Sequence, residues 1–228
     1  MSQQLSSPAT ARNLARLVSR AWRVRVTGSH LVPTHGPVIL AANHTAFLDV
    51  LVLSGHAPRP VRMLVDAATL QPPFGAAVLA AGHLPYGEGP DRAALRLAQV
   101  ELEAGGIVGI FPEGRRGDGA VRHVHHDVAY LAAVTGAPVV PVALLGTRPL
   151  GGAVDALPRL RDRIDVVFGE PIDIRVDGDQ HRRAVLARSG ERVRQVLADH
   201  VRTACQRTGQ TLPGPIHDLI PAAPRSHP

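Results

Sequence analysis

The chain has 228 residues and an apolar fraction of 45%, which is enough to bury the core of one large domain. Its 25 basic residues are all arginine, so a P-loop, a pyridoxal-phosphate Schiff base and a lysine nucleophile are excluded. The formal net charge of +6 favours an anionic partner, whereas an aromatic content of 3% argues against base stacking on nucleic acid.

The first predicted element is an amphipathic helix, which together with a polar leader occupies residues 1–22. The first ten residues lack the charged start and apolar block of a signal peptide. From Thr10 to Trp22, apolar residues recur at helical spacing and arginines lie mostly elsewhere on the wheel. This face either packs on the core, which we prefer, or attaches the protein to a lipid surface.

Strands and helices then alternate, which predicts one α/β domain over residues 23–210. The order indicates a mixed, mostly parallel sheet flanked by helices. Beyond residue 210, proline and small residues predict a poorly ordered tail over 211–228. We expect strands near 23–27, 37–42, 61–65, 107–111, 138–145 and 163–168, and helices near 48–55, 74–81, 91–104, 127–135 and 181–206.

Two of these strands end in polar residues. The run PVILA leads into ANHTAFLD, and GGIVGI leads into FPEGRRG at 111–117. Functional residues of such sheets gather in loops at strand ends. His44 and Asp49 would point about 140° apart on a straight helix, so they meet only if the chain turns between them.

A carboxylate that binds one imidazole nitrogen leaves the other nitrogen available as a base. The spacing of His44 and Asp49 therefore indicates a catalytic pair. The same spacing also suits a buried core histidine followed by a helix-capping aspartate. Spacing alone leaves these alternatives open.

The motifs resemble those of the glycerolipid acyltransferases of the lysophosphatidic acid type. NHTAFLD matches the family's Asn-His-four residues-Asp block, and FPEGRRG resembles its Phe-Pro-Glu-Gly-Thr-Arg-Ser block. GAPVVPVALLG is similar to a later apolar block that contains Pro141. The resemblance covers roughly residues 22–147, and it implies a glycerol-phosphate acyltransferase-like fold.

The resemblance also implies a reaction. The family transfers a fatty acyl group from a thioester of coenzyme A or acyl carrier protein to a lysophospholipid hydroxyl, without a metal or other cofactor. We expect 1-acylglycerol-3-phosphate as the acceptor and phosphatidic acid as the product. His44 would take the hydroxyl proton, Asp49 would orient its ring, and Arg116 would bind the phosphate. The remaining substrate-binding residues that we expect are Asn43, Glu113, Gly114 and Arg115.

The chain departs from the family pattern around the acceptor site. Arg115 stands where threonine is usual, and Glu88 falls nearest to an arginine that the family has before the second block. Arg92, one turn further on, is the candidate substitute. Downstream, His126 and Asp127 replace a usual Lys-x-Gly pattern. These changes affect the identity of the acceptor more than the reaction class.

Two alternatives come from other classes of protein. The segment HVHHD at 123–127 could hold zinc or iron in a metal-dependent hydrolase, although histidines two residues apart share a face only on a strand. A non-catalytic lipid-surface binder would keep the fold without turnover. The arginines of the last predicted helix would then bind anionic lipid in a salt-sensitive way.

The resulting expectation is a cytoplasmic enzyme that is peripheral on the inner face of the cell membrane. Its partners would be a phosphorylated lysolipid, an acyl-CoA or acyl carrier protein and an anionic membrane surface, but not nucleic acid. The reaction also needs an apolar groove for the acyl chain. The predicted helix over Phe74 to Ala81 is the candidate wall of that groove.

Overall fold

A computed structural model describes residues 8–67, 81–87, 91–174 and 183–215. The predicted groove helix lies outside these residues apart from Ala81, and so does Glu88. The helices are α1 (Pro8–Ser19), α2 (Leu48–His56), α3 (Arg92–Glu103), α4 (Asp127–Thr135) and α5 (Arg183–Thr208). The strands are β1 (Arg23–Thr27), β2 (Val38–Ala42), β3 (Val61–Asp66), β4 (Leu84–Tyr86), β5 (Ile107–Ile110), β6 (Val139–Leu145) and β7 (Arg163–Phe168).

The strands form one sheet in the order β1-β7-β6-β2-β5-β3-β4. Neighbours are parallel throughout the sheet except for the antiparallel pair β6 and β7, so β7 and β1 run against the other five strands. The prediction of a mixed, mostly parallel sheet is confirmed. Because β2 and β5 are parallel neighbours, their carboxyl ends meet at one edge of the sheet.

The central strands are buried on both faces, which explains their continuous apolar runs. Along β2, Ile39 and Ala41 join a core cluster with α3, α4 and α5. Val38 and Leu40 join a second cluster on the opposite face, with α2 and Trp22. The two-residue alternation of a strand therefore places one helical layer on each side of the sheet.

Helix α1 packs on α2 through small residues. Ala15 and Ser19 are buried, and Arg16 Nε donates to the carbonyl of Gly55 at 2.7 Å. A Cβ at Gly55 would lie 3.0 Å from the Arg16 amide nitrogen, so the close approach of the helices depends on glycine. The preferred alternative, packing on the core, is realised along this side of α1. Within the described ranges, no helix is both long and apolar enough to cross a bilayer.

Contacts of the domain extend past residue 210. The Pro213 carbonyl accepts from Gly151 N at 2.8 Å, and the Gly214 carbonyl accepts from Arg148 Nη2 at 2.7 Å. Pro213 and Gly214 of the predicted tail are thus tied to the loop that follows β6. The structure describes nothing beyond residue 215.

Candidate active site

The two polar loops lie side by side at the carboxyl edge of the sheet. Ala41 of β2 is in register with Ile110 of β5, so His44 and Glu113 emerge next to each other. The His44 amide donates to Glu113 Oε1 at 2.9 Å, and the His44 carbonyl accepts from Gly117 N at 2.9 Å. The second loop therefore holds the backbone of the histidine from both directions.

Asp49 reaches back from the first turn of α2 to the imidazole. Its Oδ2 accepts from His44 Nδ1 at 2.9 Å and from the amides of Thr45 and Ala46 at 2.6 and 2.8 Å. The carboxylate is fully buried, whereas the His44 side chain is 12% exposed. One aspartate thus secures the start of α2 and orients the ring, because the chain turns between β2 and the helix as the spacing requires.

The imidazole ring stacks on Phe111, with ring centroids 4.0 Å apart and planes 12° from parallel. With Nδ1–H donating to Asp49, Nε2 carries the free lone pair and is the nitrogen available to a substrate. Stacking and hydrogen bonding together restrict ring rotation. The arrangement suits a base whose position is set before the substrate binds.

A cavity of about 260 Å³ lies beside His44. One part of its wall is apolar and the other part carries charged and polar groups, as expected of a site for an amphipathic ligand. The apolar wall includes Phe47, Val50, Leu64, Val65, Ile110 and Phe111, and the polar wall includes His44, Asp66, Tyr86, Arg115, Arg116, His125 and Asp127.

Glu113 is not among the residues that line the cavity, so the expectation that it contacts substrate is corrected. Its side chain is turned inward, and the residue is 4% exposed. Burial raises the pKa of Glu113 to about 7, against the opposing effect of the hydrogen bond from the His44 amide. The carboxylate joins the two loops instead of binding the acceptor.

Asn43 is also a structural residue, which corrects its assignment to substrate binding. It has no exposed surface, its Nδ2 donates to the Leu144 carbonyl at 3.1 Å, and its Oδ1 accepts from Leu144 N at 2.8 Å. Both ends of the amide are used by β6. Asn43 therefore closes the sheet where β2 ends, immediately before His44.

The rest of the second loop does reach the cavity. Gly114, Arg115 and Arg116 all line it. Gly114 adopts a φ of 73°, and a Cβ there would lie 2.4 Å from His125 Nε2, so glycine is required. Arg116 Nη1 donates to Asp155 Oδ1 at 2.7 Å, which means that its charge is shared with a carboxylate on the cavity rim.

Arg92 is not brought to the cavity. It is exposed in the first turn of α3, where Asp91 accepts from Ala93 N and Ala94 N at 3.0 Å each. The other oxygen of Asp91 accepts from Gly87 N at 2.9 Å. This N-cap fixes the start of α3 with Arg92 outside the cavity wall, so the structure does not support the proposed substitution.

The HVHHD segment is divided between two surroundings. His125 and Asp127 line the cavity, and Asp127 accepts a hydrogen bond from the Tyr86 hydroxyl. His126 lies against α5, where a Cβ at Gly190 would be 3.1 Å from its Nδ1. Across the described ranges, no three His, Cys, Asp or Glu side chains are grouped as a metal site would require. The hydrolase alternative therefore has no geometric basis in this part of the chain.

Two buried residues after β6, which the sequence analysis missed, support the two loops of the site. Thr147 Oγ1 hydrogen-bonds Thr45 Oγ1 at 3.0 Å. Arg148 is 3% exposed, and its Nη2 donates to the carbonyls of Gly117 at 3.0 Å and Gly214 at 2.7 Å. Burial lowers the pKa of Arg148. The sequence did contain a signal for these two residues, because the polar run GTR at 146–148 follows a buried strand that ends at the same edge of the sheet as β2.

The fold and site define an α/β protein in which a histidine–aspartate pair faces an amphipathic cavity at the end of two parallel strands. Residues 23–145, more than half of the chain, match the family model described as Acyltransferase. The chain belongs to this family.

Curated relatives carry names of lipid acyltransferases. The chain is 33% identical over 135 residues to a 1-acyl-sn-glycerol-3-phosphate acyltransferase of Chlamydomonas reinhardtii, covering 57% of this chain and 40% of that protein. It is 26% identical over 234 residues to a lyso-ornithine lipid O-acyltransferase of Rhizobium meliloti, covering 89% of this chain and 78% of the relative. The chain thus spans less than half of the first relative and over three quarters of the second.

A solved structure has the same fold. The crystal structure of a 1-acyl-sn-glycerophosphate acyltransferase from Thermotoga maritima matches with a TM-score of 0.62 at 21% identity. The match covers 86% of this chain and 79% of that one. The expected acyltransferase-like fold is therefore confirmed.

Proposed function

We propose that the protein is an O-acyltransferase that moves a fatty acyl group from a thioester of coenzyme A or acyl carrier protein to a lysophospholipid hydroxyl. The acceptor in this proposal is 1-acylglycerol-3-phosphate, and the product is phosphatidic acid. The observation that carries it is His44, oriented by Asp49, on the wall of a cavity that Arg115 and Arg116 also line. Family membership and the names of the relatives support it.

In the proposed reaction, the acceptor hydroxyl donates its hydrogen bond to His44 Nε2. As the hydroxyl oxygen attacks the thioester carbonyl carbon, the proton moves to Nε2 and the buried Asp49 stabilises the resulting imidazolium. The tetrahedral intermediate then breaks its C–S bond, and the proton passes from Nε2 to the leaving sulfur. General base catalysis of this kind contributes about 10² to 10⁴ in rate.

Direct transfer needs no acyl-enzyme. Cys205 lies on α5, where it packs against the core cluster of that face. Burial raises the pKa of its thiol, which disfavours the thiolate form. The cysteine is therefore unsuited to act as the nucleophile.

The cavity wall supports an acceptor that is both apolar and anionic. Phe47, Val50 and Leu64 would contact an acyl chain, and the guanidinium groups of Arg115 and Arg116 suit a phosphate. Such a substrate resides in a bilayer, so we propose that the enzyme works as a peripheral protein at the inner face of the cell membrane.

A second acceptor class is favoured by a particular observation. Asp66 and Asp127 line the same cavity as the two arginines, and Arg116 shares its charge with Asp155. Charges of both signs suit a zwitterionic lysolipid that carries an amine as well as an anion. A relative that aligns with 89% of this chain is named a lyso-ornithine lipid O-acyltransferase.

Product analysis separates these proposals. Purified protein is incubated with mixed acyl-CoA and acyl carrier protein thioesters and a panel of lysophosphatidic acid, lysophosphatidylethanolamine, lyso-ornithine lipid and amino alcohols, and products are identified by mass spectrometry. Acylation of lysophosphatidic acid in preference to the others supports the first proposal, and preference for an amine-bearing lysolipid supports the second. If a folded protein acylates none of them, both are wrong.

A further inference from the structure

Exposed apolar side chains lie on two segments of the chain that are distant in sequence. In the loop between β6 and β7, Leu157 and Leu160 are 59% and 76% exposed. At the end of α1, Leu17 and Val18 are 58% and 45% exposed. Single exposed leucines are ordinary, but a contiguous apolar surface indicates a binding partner.

Hydrogen bonds of the backbone and of one side chain join the two segments. Trp22 Nε1 donates to the Pro158 carbonyl at 3.1 Å, and Arg161 N donates to the Ala21 carbonyl at 2.7 Å. Arg23 N donates to the Asp162 carbonyl at 2.9 Å. The loop is therefore fixed against the residues that follow α1. We refer to Leu17, Val18, Leu157, Leu160, Arg20 and Arg159 together as the edge surface.

The edge surface lies at the carboxyl edge of the sheet, where the cavity is. Strand β6 ends there and β7 begins there, because Leu145 is in register with Asp165. Strand β1 begins beside β7, so the end of α1 is at the same edge. Asp155, two residues before Leu157, binds the cavity residue Arg116. The edge surface thus continues the rim of the active site.

The charge around these apolar residues is mainly positive. Arg20 and Arg159 are exposed, as are the adjacent Arg23 and Arg161. The neighbouring carboxylate of Asp162 accepts from the Arg159 amide at 2.9 Å, and that of Asp155 is paired with Arg116. Exposed arginines interspersed with leucines complement a surface that has anionic phosphates above an apolar layer.

Two other surfaces do not combine exposed apolar side chains with a mainly positive charge. Helix α3 exposes Leu97 and Val100, but it also carries Glu101 and Glu103. Helix α5 is rich in arginine, yet no large apolar residue described in it is exposed. Both helices pack on the sheet face opposite to α2.

We propose that the edge surface docks on an anionic phospholipid bilayer, with its leucines among the acyl chains and its arginines at the headgroup phosphates. This inference rests on the proposed function, because docking there presents the cavity rim to lysolipid within the bilayer. It assigns membrane contact to the end of α1 and the β6–β7 loop, and not to the arginines of α5.

Vesicle co-sedimentation tests the assignment. The protein is mixed with vesicles of equal parts phosphatidylcholine and phosphatidylglycerol at low salt, and variants are compared by their partition coefficients after circular dichroism has shown that they fold. The double variant Leu157→Glu/Leu160→Glu is expected to bind at least about tenfold more weakly than wild type. The double variant Arg20→Gln/Arg159→Gln is expected to lose a similar amount of binding, and its remaining binding should depend less on salt. Matched controls are Leu97→Glu/Val100→Glu on α3 and Arg188→Gln/Arg192→Gln on α5, each expected to change binding less than twofold.

The proposal is overturned if the wild-type protein does not bind these vesicles, or if the control variants lose as much binding as the edge-surface variants. It is also overturned if light scattering shows a dimer that the leucine variant dissociates while vesicle binding persists, since the surface would then join two copies. Sedimentation requires no turnover. A protein that binds vesicles through this surface but transfers no acyl group therefore contradicts the proposed function and leaves the docking proposal standing.

Discussion

The two loops at the carboxyl edge of the sheet differ in how their polar groups are used. The loop after β2 is enclosed, and its polar side chains bind Leu144, Thr147 and Asp49. The loop after β5 turns Glu113 inward to join the first loop, but it leaves Arg115 exposed on the cavity wall. In the proposed function, the first loop would therefore set the chemistry and the exposed part of the second loop would set the acceptor.

Replacing the base tests the first half of this comparison and has the largest expected effect. His44→Ala is expected to lower kcat about 10³-fold, because general base catalysis contributes about 10² to 10⁴. The fold should persist, since Asp49 still accepts from the Thr45 and Ala46 amides. Steady-state kinetics and thermal unfolding measure the two effects. A folded variant within tenfold of wild-type activity would contradict the role of His44.

The junction between the loops is tested by the pH dependence of stability. The pKa of Glu113 rises from an ordinary value of 4.5 to about 7 on folding, mainly through burial. Between these values the unfolded chain has lost the proton and the folded chain keeps it, so stability falls as pH rises through this window and is constant above it. The shift corresponds to about 3 kcal/mol.

Glu113→Gln removes this titration while keeping an oxygen that can accept from the His44 amide. The free energy of unfolding of the variant minus that of wild type should therefore increase by about 3 kcal/mol from pH 4.5 to pH 8. Urea unfolding at both pH values measures the difference. A wild-type protein and variant with parallel pH profiles would show that Glu113 does not titrate in this window.

The apolar runs before the two motifs were sufficient to predict that both loops meet at one edge, because parallel strands align their carboxyl ends. The turn between His44 and Asp49 also followed from their spacing. The orientation of the Asn43 and Glu113 side chains could not be predicted, because it depends on partners that are distant in sequence. Leu144, which binds Asn43, is 101 residues away. Strand β4 was missed because it has only three residues, including Pro85, at the edge of the sheet, where proline is tolerated.

Removing the guanidinium group of Arg116 tests the role of the second loop in acceptor binding. Arg116→Ala is expected to raise KM for lysophosphatidic acid about tenfold with little change in kcat, because a phosphate contact made equally in the ground and transition states is lost. Arg92→Ala is the matched control, since Arg92 is exposed outside the cavity wall. Equal KM values for all three proteins would exclude Arg116 as the phosphate ligand.

The pairing of Arg116 with Asp155 permits a finer test with the smallest expected effect. Asp155 is 78% exposed, so its ion pair with Arg116 is weak, and Asp155→Asn should leave stability unchanged within about 0.5 kcal/mol. Neutralising it frees the guanidinium for a phosphate, so KM for lysophosphatidic acid should fall about two- to threefold. For an amine-bearing lysolipid, the same substitution removes a nearby negative charge and should not lower KM. The ratio of the two KM values, measured with one enzyme preparation, therefore reports which acceptor the rim of the cavity is built to bind.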